Sequence, residues 1–353
     1  MEHKAELEDL MMTLIREGGS DIHLSEGRHP SIRVAGTLLP LVKKPVMTPA
    51  DTSAFLDILL SAENKKIFFE TREMDFSYAF KTGDRFRGNA FFQQGTVSLA
   101  LRLIPKVIRP LSELNLPEIL ESFTHKQQGF FLVVGPVGHG KTTTLAAMLD
   151  LINTNTSQHI VTVEDPIEYV FQQKKSIVDQ REVGIDTADF RTALISMLRE
   201  DVDVVLVGEM RDPETISMAV TAAETGHLVF STLHTNDASQ TISRIIDSFP
   251  AAQQAQIRIQ LAGSLTGIFS QRLIPRVSGG MVPAYELLIN NNAVSNLIRE
   301  NRIHEINSVI QTGSGDGMID LNHSLADLVR KGEITMESAY EFSLDPKILE
   351  RLV

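Results

Sequence analysis

The chain has 353 residues, 42% apolar and 22% charged, which is enough apolar material for two cored domains and excludes general disorder. Lys and Arg number 33 against 45 Asp and Glu, a net charge of −12, so a bulk electrostatic grip on nucleic acid is not expected. Cysteine is absent, which excludes disulfides and thiolate metal sites, and no apolar run approaches the roughly 20 residues of a membrane span. The acidic start lacks a signal-peptide core, so a cytoplasmic chain without direct membrane insertion is expected.

In chain order, Leu7, Leu10, Met11, Leu14 and Ile15 recur at helical spacing and predict an amphipathic helix, closed by Gly18-Gly19. Strands are expected at 21–24 and 31–34, followed by a turn at Ala35-Gly36. One helix is expected over 49–70, then strands at 75–80, 85–92 and 97–103. In the last of these Val97, Leu99, Leu101 and Leu103 share a face. Residues 1–104 therefore read as a small α+β domain, and Pro105, Pro110 and Pro117 stiffen a linker over 105–120. From 121 to 353 the texture changes. Short apolar runs at 130–134, 159–163, 204–207 and 228–231 alternate with helical stretches, as in a parallel sheet covered on both faces. The region from about Ala293 reads as helical, interrupted at 313–317.

The strongest chemical signal is Gly135-Pro136-Val137-Gly138-His139-Gly140-Lys141-Thr142, which fits G-x-x-x-x-G-K-[ST] between a buried strand and a helix over 142–153. Glycines let backbone N–H groups turn inward around phosphates, and the helix N-terminus adds positive potential. Lys141 is expected to reach the β- and γ-phosphates of ATP and the Thr142 hydroxyl to ligate Mg²⁺.

Three further segments end buried strands in polar groups. Val204-Val205-Leu206-Val207-Gly208-Glu209 looks like a Walker B element; Glu209 is expected beside Thr142, at the metal, if the two strands are neighbours. Asp212-Pro213 then reads as a helix start. Glu164-Asp165-Pro166-Ile167-Glu168 is either a solvated acidic turn or a general-base segment, in which Glu164 lies nearest the strand. His227 and His234 bracket the fourth strand. His234, on the ligand edge, is either structural or a reporter of the γ-phosphate. Arg85, Arg87, Arg102 and Arg109, placed around the strand pair of the small domain, are candidate nucleotide-binding cations, with no reason in the sequence to choose among them.

Together these segments resemble the secretion ATPase superfamily, most closely the twitching-motility (PilT-like) pilus retraction ATPases. The likeness runs through Gly19-Ser20-Asp21-Ile22-His23-Leu24, Arg85-Phe86-Arg87, the loop from Gly135 to Thr143, Glu164 to Glu168 (the Asp box), Val207 to Thr215, and Thr225 to Asn236 (the His box). Ala293-Val294-Ser295-Asn296-Leu297-Ile298-Arg299-Glu300 resembles the segment tied to retraction. The resemblance implies a PAS-like N-terminal domain, a RecA-like P-loop ATPase domain with a helical C-terminal region, and a hexameric ring. In that ring, nucleotide lies between the two domains and arginines of the small domain close on the phosphates. It further implies Glu164 as general base, Glu209 as Walker B acid, His234 as γ-phosphate or interface sensor, and His227 as its neighbour. Hydrolysis would drive type IV pilus retraction through an inner-membrane platform protein, at the cytoplasmic face of that membrane, with a paralogous pilus ATPase among the candidate partners.

The chain departs from the family pattern at Val137, where Thr is usual, at His139, where Ser is usual, and at Ser295, where Arg is common. His139 raises the expectation of a pH-dependent donor near the phosphates. The missing four-cysteine zinc module separates the chain from extension and secretion motors. Those motors and DNA-uptake ATPases remain the nearest alternatives, followed by a nucleic-acid translocase and a non-hydrolysing scaffold.

Overall fold

A computed structural model describes residues 2–34 and 36–353, so Ala35 of the expected turn lies outside the described residues. The chain divides between Lys106 and Val107 into two compact units.

The first unit runs α1 (Glu2–Arg16), β1 (Asp21–Leu24), β2 (Ser31–Val34), β3 (Thr37–Pro40), α2 (Pro49–Leu59), α3 (Ala62–Thr71), β4 (Glu73–Ala79), β5 (Arg85–Gln93) and β6 (Thr96–Ile104). Its strands form an antiparallel sheet in the order β3-β2-β1-β6-β5-β4. One face is apolar: Phe86 and Ala90 of β5 lie with Leu99 and Leu101 of β6 against Leu10 and Leu14 of α1, Phe55 of α2 and Phe68 of α3. Alternation along β5 and β6 leaves the other face polar, as an antiparallel sheet with one wet side requires. This is the PAS-like α+β unit.

The single helix expected over 49–70 is two helices. Leu60 takes an extended conformation, and the Ser61 side chain accepts the Asn64 N–H to start α3. Apolar spacing runs through this break because Leu56, Leu59, Leu60 and Phe68 all face the same core. Strand β3 escaped notice because every residue in it is exposed, leaving no alternation to read.

The second unit contains α4 (Ile119–Thr124), β7 (Gly129–Val134), α5 (Lys141–Asn155), β8 (His159–Glu164), β9 (Ile177–Glu182), α6 (Phe190–Met197), β10 (Val204–Val207), α7 (Pro213–Glu224), β11 (Leu228–Leu233), α8 (Ala238–Asp247), α9 (Ala251–Ser264), β12 (Leu265–Pro275) and β13 (Met281–Ile289). After these come α10 (Asn292–Arg299), α11 (Ile306–Thr312), α12 (Leu321–Arg330), α13 (Met336–Phe342) and α14 (Pro346–Leu352). The sheet order is β13-β12-β7-β11-β10-β8-β9, parallel except for the β12–β13 pair. Strand β7 is buried at every position. Phe130, Leu132 and Val134 face the cluster with α6 to α9, while Phe131 and Val133 face the one with α4 and α5. Burial on both faces explains the continuous apolar runs. This is the RecA-like core. Residues 107–118 are docked on it, with Ile108, Leu111, Leu114 and Leu116 packed against the α4–α5 cluster.

Candidate nucleotide site

The loop after β7 is shaped by glycines in left-handed or related backbone: φ is 140° at Gly135, 81° at Gly138 and 80° at Gly140. Gly140 caps α5, so that helix points its free N–H groups at the loop. Val137 projects outward and is exposed. Lys141 is buried, and its Nζ donates to the carbonyls of Gly135 and Pro136, both at 2.9 Å.

The same ammonium lies 3.1 Å from Nδ1 of His234. An ammonium only donates, so Nδ1 is the acceptor and Nε2 carries the proton. Nε2 faces Oε1 of Glu209 at 3.4 Å, and Arg211 donates to the other oxygen of Glu209 at 2.9 Å. Burial and the Lys141 charge hold the His234 pKa below its usual value, which keeps the imidazole neutral. The Arg211 hydrogen bond lowers the pKa of Glu209 and keeps it anionic. Burial lowers the pKa of Lys141, with the Glu209 and Glu168 charges opposing it. The result is an alternating row, Lys141–His234–Glu209–Arg211, across the ends of three elements.

Glu209 does not reach the loop by strand adjacency. Strand β11 lies between β7 and β10, so the condition for placing Glu209 directly beside Thr142 is not met. His234, just past β11, fills the gap. Thr142 is half-buried in the first turn of α5, and the Thr143 hydroxyl lies 2.9 Å from the Tyr169 hydroxyl.

Glu164 ends β8 and is 4% exposed. Its carboxylate accepts from the Thr162 hydroxyl at 2.7 Å, Gln180 Nε2 at 3.3 Å and the Glu168 N–H at 3.4 Å. Burial outweighs these bonds and pushes its pKa up to about 7. A carboxyl poised near neutrality is suited to taking a proton from water. The segment is thus not a solvated turn at its first residue, although Asp165 and Glu168 are exposed.

Two expectations are corrected. His227 lies at the opposite end of β11 from His234, about 20 Å away by strand rise, where its Nδ1 meets the Ala222 carbonyl at 3.0 Å. It therefore serves the C-terminal end of α7. His139 directs Nδ1 to the Leu273 N–H, accepting it at 2.9 Å, and packs its ring edge-on to Phe342. Burial, with Arg272 and Lys141, lowers its pKa, so this ring nitrogen is an anchored acceptor and not a phosphate-facing donor.

Of the four arginines, Arg85 and Arg87 lie on β5 and Arg102 on β6, while Arg109 falls past β6 in the second unit. Strand register aligns Arg87, Arg102, Asp21 and Arg33 across one face. Arg102 donates to Asp21 at 2.8 Å and Arg33 lies 3.9 Å from it. Thr162, Gln180, Tyr169 and Arg211 were not assigned roles from sequence. Only Arg211 offered a signal, through its position two residues after Glu209.

Residues 4–286 match the Type II/IV secretion system protein family. The type IV pilus retraction ATPase PilT of Pseudomonas aeruginosa is 44% identical over 342 residues, covering 97% of this chain and 99% of the relative. A twitching motility protein of Neisseria gonorrhoeae is 47% identical over 311 residues, covering 88% and 83%. A crystal structure of the pilus retraction motor PilT with bound ADP superposes with a TM-score of 0.91 at 48% identity, covering 98% of each chain.

Proposed function

The chain belongs to the Type II/IV secretion system protein family, and on that footing we propose that it is an ATPase motor that powers type IV pilus retraction. The observation that carries the reading is the convergence of Lys141, His234 and Glu209 at the phosphate loop, in a chain alike over nearly its whole length to retraction ATPases.

The phosphate loop, with Gly135 to Thr143, holds the β- and γ-phosphates, and Lys141 exchanges its carbonyl partners for phosphate oxygens. The Thr142 hydroxyl and anionic Glu209 supply the hard oxygen donors that suit Mg²⁺, which would neutralise charge on the phosphates. Glu164 accepts the proton of the attacking water, and His234 reads the γ-phosphate through its bonds to Lys141 and Glu209. Arg85, Arg87 and Arg102 offer cations that close on phosphate in a homo-hexamer, and Arg109 is a further candidate. On the same proposal the motor works from the cytoplasmic face through an inner-membrane platform protein; no described helix is long and apolar enough to cross a membrane. Mechanical output requires that binding and hydrolysis of nucleotide be coupled to a change of conformation.

Phosphate release by the purified chain tests the site. Lys141→Ala and Glu209→Ala should each abolish turnover, and full activity in either refutes the assignment. A deletion strain tests the role: hyperpiliated, non-motile cells are expected, and bald cells point to extension.

A further inference from the structure

Strand β12 carries Gln271 into the back of the phosphate loop. The pairing Ser270↔Val134 sets Gln271 beside Gly135, and the side chain is 3% exposed. Both ends of its amide are engaged. Oε1 accepts the Thr144 hydroxyl at 2.6 Å, and Nε2 donates to the His139 carbonyl at 2.9 Å. Reversing the amide would set two carbonyl oxygens against each other, so the orientation is fixed. Next door, the Leu273 N–H holds the His139 ring.

A planar trans peptide points its N–H opposite to its C=O. Holding the His139 carbonyl toward Gln271 therefore turns the Gly140 N–H away from β12, as a phosphate-binding amide requires. The glycine pattern agrees. A Cβ at Gly140 would lie 2.9 Å from Gln271 Nε2, and one at Gly135 would lie 2.3 Å from the Gln271 carbonyl oxygen. Two of the motif's glycines are thus required by the close approach of this one residue, besides their backbone angles.

We propose that Gln271 is a positioning residue for nucleotide: by clamping the His139 carbonyl and the Thr144 hydroxyl it aims the Gly140 amide at the phosphates. The inference rests on the loop's being the nucleotide site. Its effect falls on ground-state grip of the phosphates, so affinity changes more than turnover.

The test uses the full chain, with calorimetric titration of ADP in the presence of Mg²⁺, thermal melting, and steady-state ATP hydrolysis. Gln271→Met keeps the volume and removes both hydrogen bonds. Gln271→Glu keeps an acceptor for Thr144 but sets a carboxylate against the His139 carbonyl. Both should weaken ADP binding by about tenfold or more, the Glu variant at least as much as the Met variant. KM for ATP should rise in step, with kcat at saturation within about threefold of the unaltered chain. ADP affinity within about twofold for Gln271→Met, or a fall in kcat at unchanged affinity, overturns the proposal. Should Gln271→Met fail to fold, Thr144→Val decides: it frees one end of the amide, a severalfold weaker affinity is expected, and an unchanged one overturns the idea. Failure of the unaltered chain to bind ADP at all would overturn the functional reading itself, and this inference with it.

Discussion

Replacing Glu164 by Gln should stabilise the protein while stopping its chemistry. The carboxyl ionises near 4.5 in the unfolded chain and at about 7 when folded, because burial disfavours its charge. Below pH 4.5 both states are protonated and the group is neutral to stability. Between 4.5 and 7 the unfolded chain releases a proton that the folded one keeps, so stability falls as pH rises. Above 7 the loss is complete. The interval from 4.5 to about 7, at 1.36 kcal/mol per pH unit, amounts to about 3 kcal/mol. Gln keeps the volume and can still accept from Thr162 and Gln180, but loses the Glu168 N–H at 3.4 Å, a long bond worth about 0.5 kcal/mol. The net gain at pH 8 is about 2.5 kcal/mol, or a melting temperature higher by about 5 °C. At pH 4.5 the two proteins should melt together. Hydrolysis should fall by roughly 10²- to 10⁴-fold, and in the unaltered chain the rate should climb with pH through about 7 as the base ionises. Melting curves at both pH values and phosphate release across the range measure all of this. A variant whose stability follows the same pH dependence as the unaltered chain, or one that keeps its hydrolysis rate, refutes the assignment of burial and base to Glu164.

His139 gives a prediction of opposite sign. Its pKa is depressed on folding, so its contribution is present above about 6.5 and lost as pH falls below it, when the unfolded chain takes up a proton first. His139→Ser should therefore flatten the loss of stability between pH 6.5 and 5.5 (a suggested range about the reference value) while leaving the hydrolysis profile at higher pH unchanged. Melting that remains equally acid-sensitive in the variant contradicts the burial of the His139 ring beside Arg272 and Lys141. In the first unit, Ser61→Ala removes the cap that begins α3 and should cost about 1 kcal/mol, read by urea unfolding. No loss there would mean that packing of Phe68 alone sets the break.

The parts of the molecule readable from its residues are those where one physical demand dominates. Strands β7 and β10 are buried on both faces and apolar at every position, β8 and β11 are buried and mostly apolar, and the phosphate loop must place glycines where backbone approaches phosphate. Hidden features answer two demands at once. Strand β12 carries buried Gln271 and Arg272, polar residues kept for the loops they touch, which breaks the apolar pattern of a strand. Edge strand β9 reads as polar because Asp179, Gln180 and Arg181 serve neighbours and solvent. His227 and His234 bracket one strand, and its direction sends only His234, past the C-terminal end, to the ligand edge. Motif order likewise does not give sheet order: β11 stands between the strands that lead to Thr142 and to Glu209.

The aligned row of Arg87, Arg102, Asp21 and Arg33 has a thermodynamic consequence for the first unit. Arg102 and Arg33 share the Asp21 carboxylate, and Arg87 stands directly opposite Arg102, where like charges on a sheet repel. Added salt weakens the Arg102–Asp21 attraction and the Arg87–Arg102 repulsion alike, over the Debye length of about 10 Å. A polyanion that met Arg87 and Arg102 together would relieve the repulsion between them, so its binding and the cohesion of the β5–β6 pair would be one event.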